Sequence, residues 1–299
     1  MTREPSVTVV CATRNARDAV ALTLESFRRH TVTPCTVIVA DNESTDGTLE
    51  YLQAIPWLTV VDLRTRSAAL LRAQAAVQRR VEQAATLGER GRRFLEGVVK
   101  QQLDQADVME HGPTLDWLAT QVRTSFFLTL DSDVESLEDG WLEDMMRHAT
   151  ERDLVALGPY EEGIAAYRPR LAPSTLLLRT SAFRELRTSF ASFVRFSDPA
   201  DRARWECRPQ TQDVDQDELA EFPSGEFFTT GAFLFEQIRR RNLQWEALPE
   251  RIGSKVRHLG HMSWAGDPRR ARSRGLKYEH LTRQQYVDAA QARLRDERG

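Results

Sequence analysis

An α/β fold with a doubly wound, mostly parallel central sheet and helices on both faces is what this sequence predicts, and three observations carry it. Two strand-loop-helix units follow one another near the start, at residues 7–30 and 37–54. A further apolar strand, Phe126-Phe127-Leu128-Thr129-Leu130, runs directly into Asp131-Ser132-Asp133. Helical segments separate these strands, as right-handed crossovers between parallel strands require.

Residues 7–12 are apolar and rich in valine, the pattern of a strand buried on both faces, and Thr13-Arg14-Asn15 ends it. Residues 16–30 then place Val20, Leu24 and Phe27 on one helical stripe. A second strand over 37–40 ends on Asp41-Asn42-Glu43-Ser44-Thr45-Asp46-Gly47-Thr48, and residues 49–54 read as helix. Asp46, just before Gly47-Thr48, suits a turn-forming or helix-capping role. Residues 58–63 supply a third strand.

From residue 67 to about 110 the composition turns to Ala, Gln, Arg and Glu with few strand formers, which predicts a helical insertion broken near Gly88 and Gly91. Residues 111–121 predict the helix before the Asp131 strand, and 141–150 the helix after it. The later half is less regular: a strand at 175–179, a polar stretch over 197–221, a helix over 231–241 and a strand near 244–248. Beyond Asp267 the chain is arginine-rich and ends in a helix over 282–297, whose Tyr286, Ala289, Ala290 and Leu294 make a thin apolar stripe. The expected organisation is one domain over 1–266, with halves 1–145 and 146–266, and a helical extension over 267–299. The insertion or the terminal helix could seat a second copy of the chain.

With 299 residues, 41% of them hydrophobic, the chain can bury a large core. Its 41 basic and 44 acidic residues nearly balance, so no nucleic acid partner is expected. No apolar run approaches the roughly 20 residues that span a bilayer, and no signal-like segment opens the chain, so no integral membrane segment and a cytoplasmic location are expected. Cys11, Cys35 and Cys207 are too scattered for a disulfide framework or a zinc site.

The chemistry concentrates where the strand over 126–130 ends. Asp131 and Asp133, one residue apart, can both turn toward a divalent cation that takes hard oxygen ligands, and open α/β sheets bind ligands at these carboxyl ends. A lone Asp-x-Asp after an apolar run is as often a solvated turn, so the rest of the chain decides.

The stretches Val7-Thr8-Val9-Val10-Cys11-Ala12-Thr13-Arg14-Asn15 and Val37-Ile38-Val39-Ala40-Asp41-Asn42-Glu43-Ser44-Thr45-Asp46-Gly47-Thr48, with Asp131-Ser132-Asp133 downstream, resemble inverting nucleotide-sugar glycosyltransferases of the GT-A fold, family-2 type. The resemblance covers residues 7 to about 145 well and the remainder loosely. It implies a nucleotide-sugar donor of the UDP or GDP kind, a hydroxyl-bearing acceptor, and Mn²⁺ or Mg²⁺ bridging the donor diphosphate. By position it implies nucleoside or donor contacts from Thr13, Asn15, Asp41, Arg66, Asp131 and Ser132. Asp116, 15 residues before Asp131, stands where the family commonly has an asparagine, and is a further donor candidate. Asp133 becomes the metal ligand, with His261 as the first choice for a distant histidine ligand and His258 in reserve.

Inverting transfer needs a base for the acceptor hydroxyl. Where the family carries an acidic pair, this chain has Thr230-Gly231, and neither can serve. Glu226 is the nearest carboxylate and the candidate base; Asp213, Asp215, Asp217, Glu218 and Glu221 crowd the preceding loop. Trp205, Trp245 and Trp264 offer faces for sugar stacking, although core packing is the commoner use of tryptophan. Other readings compete. A haloacid-dehalogenase-like phosphatase would use Asp131 as nucleophile and Asp133 as acid/base, with Lys255 and Gly266-Asp267 imitating its later motifs. A nucleotidyltransferase would need a glycine-rich loop that is missing between Ala12 and Asp18. A catalytically degenerate glycosyltransferase homologue would explain Thr230-Gly231.

Overall fold

The computed structural model describes residues 6–63, 111–163, 167–206 and 221–260, with 285, 287, 288, 291 and 292 near the end. The expected insertion over 67–110, Arg66, His261, Trp264, Gly266-Asp267, the acidic residues 213–218 and the stripe Tyr286, Ala289, Ala290 and Leu294 lie outside the described residues.

In chain order the elements are β1 (Val7–Thr13), α1 (Arg17–His30), β2 (Cys35–Asp41), α2 (Thr48–Gln53), β3 (Leu58–Asp62), α3 (His111–Gln121), β4 (Phe126–Leu130), β5 (Val134–Ser136) and α4 (Trp141–Glu151). They continue as β6 (Ala156–Gly158), β7 (Tyr160–Glu161), β8 (Arg170–Leu171), β9 (Thr175–Arg179), α5 (Thr180–Leu186), β10 (Phe193–Phe196) and α6 (Pro199–Glu206). The last are β11 (Gly225–Phe228), α7 (Ala232–Arg240), β12 (Trp245–Ala247), α8 (Glu250–Gly253) and β13 (Val256–His258).

Seven strands form the central sheet in the order β12-β6-β9-β4-β1-β2-β3. All its neighbours pair in parallel except β9, which runs against β4 and β6. Because β4 and β6 both oppose β9, they run the same way. The carboxyl ends of six strands therefore share one edge, the edge where Asp41, Asp131 and Tyr160 emerge.

Alternation along the strands builds a core on each face. Val7, Val9 and Cys11 of β1, with Phe126, Leu128 and Leu130 of β4, pack on Val20, Leu24 and Phe27 of α1. Val10 and Phe127 point the other way, onto Leu115, Leu118 and Ala119 of α3. That is the doubly wound arrangement: each apolar residue of these strands is covered by a helix on its own side. Each fully buried side chain contributes roughly 1.5–3 kcal/mol, and β1 is buried on both faces along most of its length.

Close backbone approach fixes how the later half leans on α3. A Cβ on Gly112 would stand 2.5 Å from the Phe190 carbonyl oxygen, so only glycine admits the strap over 189–191 against the helix. The polar stretch read over 197–221 contains α6, and Trp205 on it packs edge-on against Phe222 and beside Phe196. Trp245 meets Phe235 edge-on at 4.5 Å. The two described tryptophans weighed for sugar stacking thus serve aromatic clusters. Near the end of the chain, Val287 is fully buried with Ala16, Ala19, Leu22 and Leu259, and Gln291 donates to the Asp18 carbonyl. That segment of the expected extension packs on α1 of the same chain.

Candidate active site at the sheet edge

The strand β4 delivers Asp131 to the carboxyl edge, where its N–H donates to the Ser174 carbonyl at 3.0 Å. The chain turns, and β5 then pairs antiparallel with β13, setting His258 opposite Val134. The Asp133 carbonyl accepts from Leu259 N–H at 2.9 Å, locking the two segments together. The product is a tight group: His258 Nε2 lies 3.1 Å from Asp133 Oδ1 and 3.4 Å from Asp131 Oδ2. One ligand atom from each of Asp131, Asp133 and His258 lies within 4.8 Å of the others. On the far side of Asp131, His111 Nε2 stands 3.4 Å from Oδ1 at the start of α3. Ser132, between the two aspartates, is buried.

Burial and neighbouring charges act on the group together. Burial raises the Asp131 pKa, and the neighbouring Asp133 charge adds to that, against the opposing pull of His111 first and then His258. Burial works against a charged His258, yet the Asp133 hydrogen bond and the charges of Asp133, Asp131 and Glu161 hold its pKa above the ordinary value. Burial, followed by the same two aspartates, also drives the Cys11 thiol far up, so it stays protonated beneath the site. Two carboxylates and an imidazole held this close could hold a divalent ion.

Of the two candidate histidines, only His258, held in reserve, falls among the described residues. It stands beside the aspartates. The strand β13 ends at His258, and its pairing with β5 aims that ring at Asp133; sequence spacing alone leaves the two histidines alike.

The nucleotide-side candidates divide. Thr13 closes β1 opposite Asp41 of β2, and its Oγ1 is buried with no hydrogen-bond partner among the described residues. Asp41 is fully buried, with Oδ2 accepting from Ser44 N–H at 3.0 Å. Asn15 takes a left-handed backbone with φ of 46°, accepts from Thr45 N–H at 2.8 Å, and donates its own N–H to Ser44 Oγ. These two residues build the loop wall. Asp46 fills its turn role: Oδ1 accepts from Thr48 N–H and hydroxyl, and Oδ2 from Arg17 N–H, so it joins the starts of α1 and α2. Asp116 is fully buried on α3 and accepts from the Ser189 hydroxyl and from Phe190 N–H at 3.0 Å. Those bonds tie the strap over 189–191 to the helix.

Glu226, the candidate base, is held by two arginines. It pairs across the β10–β11 ribbon with Arg195, whose Nε and Nη2 both reach Oε2 at 2.8 and 2.6 Å, while Arg168 Nη1 lies 3.1 Å from Oε1. With guanidinium groups on both oxygens, the carboxylate holds the ribbon to the loop before β8. The positions expected for an acidic pair are closed for structural reasons. Thr230 bonds Ser192 through its hydroxyl, and Gly231 has φ of 89° with room for no Cβ, which would stand 2.8 Å from the Leu171 carbonyl oxygen. A side chain there would strain the turn and collide with backbone.

Three residues the sequence did not single out gather at this edge: His111, Arg170 and Glu161. Arg170 Nε and Nη2 grip Glu161 Oε2 and Oε1 at 2.6 and 3.0 Å, and Nη1 donates to the Thr230 carbonyl at 3.2 Å. Glu161 follows a short apolar strand end, the same local signal that drew attention to Asp131. Lys255, which the phosphatase alternative requires near Asp131, instead donates to Asp144 Oδ2 at 3.0 Å and to the Asp139 carbonyl.

Residues 8–81 match the model described as glycosyl transferase family 2. No curated protein matches the chain. Among similar solved structures, TarS 1–349 of S. aureus in complex with UDP is 16% identical with a TM-score of 0.40, over 62% of this chain and 50% of that one. The mannosyltransferase PcManGT of Pyrobaculum calidifontis, in complex with GDP-Man and Mn²⁺, is 14% identical with a TM-score of 0.40, over 62% of this chain and 47% of that one. Glucosyl-3-phosphoglycerate synthase of Mycobacterium tuberculosis, with Mn²⁺, UDP and glucosyl-3-phosphoglycerate, is 13% identical with a TM-score of 0.38, over 60% of this chain and 58% of that one. The chain spans about half the length of the first two.

Proposed function

We propose that this chain is a glycosyltransferase that moves a sugar from a nucleoside-diphosphate donor to a hydroxyl-bearing acceptor, with inversion and with a divalent cation. The observation that supports it most is the Asp131–Asp133–His258 group at the carboxyl edge of a sheet whose opening strands and loops match the family-2 pattern.

The donor set fits the cation. Two carboxylates supply hard oxygens suited to Mg²⁺ and Mn²⁺, and the imidazole tilts the preference toward Mn²⁺. Asp131, Asp133 and His258 would hold it; when bound, it supplies Lewis acidity that draws charge from the departing diphosphate. The chain's own residues do the rest. Thr13 offers a buried hydroxyl at the nucleoside end, and Asn15 and Asp41 keep the two loops in shape around it. The acceptor approaches from the side of β7, β8 and the start of α7. Among the described residues no helix is long and apolar enough to cross a membrane. A small soluble acceptor, such as a metabolite or natural product, is the preferred class; product formed only on lipid-linked acceptors would contradict it.

Thermal stability against a panel of nucleoside diphosphates, with and without Mn²⁺, tests the donor half. A ligand at 100 times its dissociation constant stabilises by about 2.7 kcal/mol, so one nucleotide, UDP or GDP foremost, should raise the midpoint by several degrees only when Mn²⁺ is present. No shift with any nucleotide would remove the proposal.

A further inference from the structure

We infer that Glu161 is the general base of the transfer, held in place by Arg170, so that a hairpin carboxylate replaces the acidic pair missing at Thr230-Gly231. The inference rests on the glycosyltransferase reading above.

Placement comes first. Strand β7 follows directly on the carboxyl end of β6, and β6 runs with β4, so Glu161 rises from the same sheet edge as Asp131 and Asp133. Arg170 bonds the Thr230 carbonyl, one residue before Gly231. The pair therefore stands against the helix start where the resemblance calls for an acid, and where Gly231 leaves no room for one.

Chemical fitness comes next. A carboxylate oxygen carries two acceptor positions; Arg170 takes one on each oxygen of Glu161, and no other described residue takes the outer ones. The Glu161 side chain is half exposed, at 50%, so an incoming hydroxyl can reach it. A carboxylate gripped at both oxygens is also fixed in direction, which is what proton transfer in a single encounter needs. Among the described carboxylates weighed for this role, Asp131 and Asp133 belong to the candidate cation group, and Glu226 carries two guanidinium groups, Arg195 and Arg168, against the one on Glu161.

The step balances. A lone pair of the acceptor oxygen forms the new bond to the anomeric carbon while the bond from that carbon to the diphosphate oxygen breaks, its electron pair leaving on the diphosphate. The acceptor's proton passes to a Glu161 oxygen and from there to solvent.

The test compares wild type, Glu161→Gln and Glu226→Gln as full-length chains. Nucleoside diphosphate release is followed from the nucleotide sugars of the stabilising nucleotide, with Mn²⁺, and with water, glycerol and simple monosaccharides as acceptors. Glu161→Gln keeps its shape and one acceptor for Arg170, and should bind the nucleoside diphosphate with Mn²⁺ within about twofold of wild type. Its release rate should fall at least about 100-fold, within the range a positioned base contributes. Glu226→Gln should stay within a few-fold. Glu161→Gln turning over like wild type with binding intact would overturn the base assignment alone, and so would wild type that binds nucleotide yet releases none from any donor. Absence of nucleotide binding in wild type would instead strike the glycosyltransferase reading, and the base with it.

Discussion

Asp133→Asn is expected to weaken Mn²⁺ binding by at least about 100-fold and to erase the Mn²⁺-dependent nucleotide stabilisation, while leaving the metal-free protein close to wild type in stability. The first effect follows from geometry. Asp133 Oδ1 faces His258 Nε2 at 3.1 Å, and losing its charge leaves Asp131 and His258 as an incomplete set. A 100-fold loss corresponds to about 2.7 kcal/mol of binding. The second effect follows from charge. Asp133 raises the pKa of the buried Asp131 and also bonds His258, so asparagine removes a repulsion and weakens an attraction together, and the metal-free stability should stay close to wild type. His258→Ala should show the same loss of nucleotide stabilisation. Calorimetric Mn²⁺ titration and thermal unfolding of both variants read the two effects separately; a variant destabilised without Mn²⁺ and unaltered in Mn²⁺ affinity would assign Asp133 a structural role.

Asp116→Ala is expected to be the most destabilising single change on α3, by about 3 kcal/mol or more. The carboxylate is fully buried and accepts from the Ser189 hydroxyl and the Phe190 N–H. Alanine leaves a buried backbone N–H and a buried hydroxyl without that acceptor, and each orphaned group costs roughly 1–3 kcal/mol. At about 2–4 °C per kcal/mol, the unfolding midpoint should fall by about 6–12 °C. Asp116→Asn, which keeps an acceptor, should recover part of the loss. The strap over 189–191 also packs on Gly112 and takes Gly231 N–H at the Phe190 carbonyl, so its loosening should reach the acceptor side. A midpoint within about 1 °C of wild type for Asp116→Ala would contradict this account of how the two halves are joined.

Much of the fold was legible in the sequence because its signals are local. The apolar, valine-rich run over residues 7–12, the stripe of Val20, Leu24 and Phe27, and the apolar run into Asp131 each report a strand or helix without reference to anything distant. The same holds for Asp46, whose turn is set by residues beside it. The reversed strand β9 was readable as a strand but not in direction, since direction depends on what it pairs with. The site divides along the same line. Asp131 and Asp133 are neighbours in sequence and were visible together. His258 reaches them only through the pairing of β13 with β5, across more than a hundred residues, so nothing nearby distinguishes it from His261. The protein partners of Asp116 and Glu226 were hidden for a related reason. A carboxylate at a promising spacing reads the same whether it faces a substrate or, as here, a buried hydroxyl and two guanidinium groups. Glu161 and Arg170 depend on a two-residue hairpin, too short to leave a periodic pattern.

The most direct test of the central claim is the release of nucleoside diphosphate from a panel of nucleotide sugars by wild type, with Mn²⁺ and then with the ion chelated. Release from donors of one nucleotide in the presence of Mn²⁺, stopped by chelation and by Asp133→Asn, is the predicted result. Release that is unchanged after chelation, or that proceeds from simple phosphate esters and not from nucleotide sugars, would contradict it.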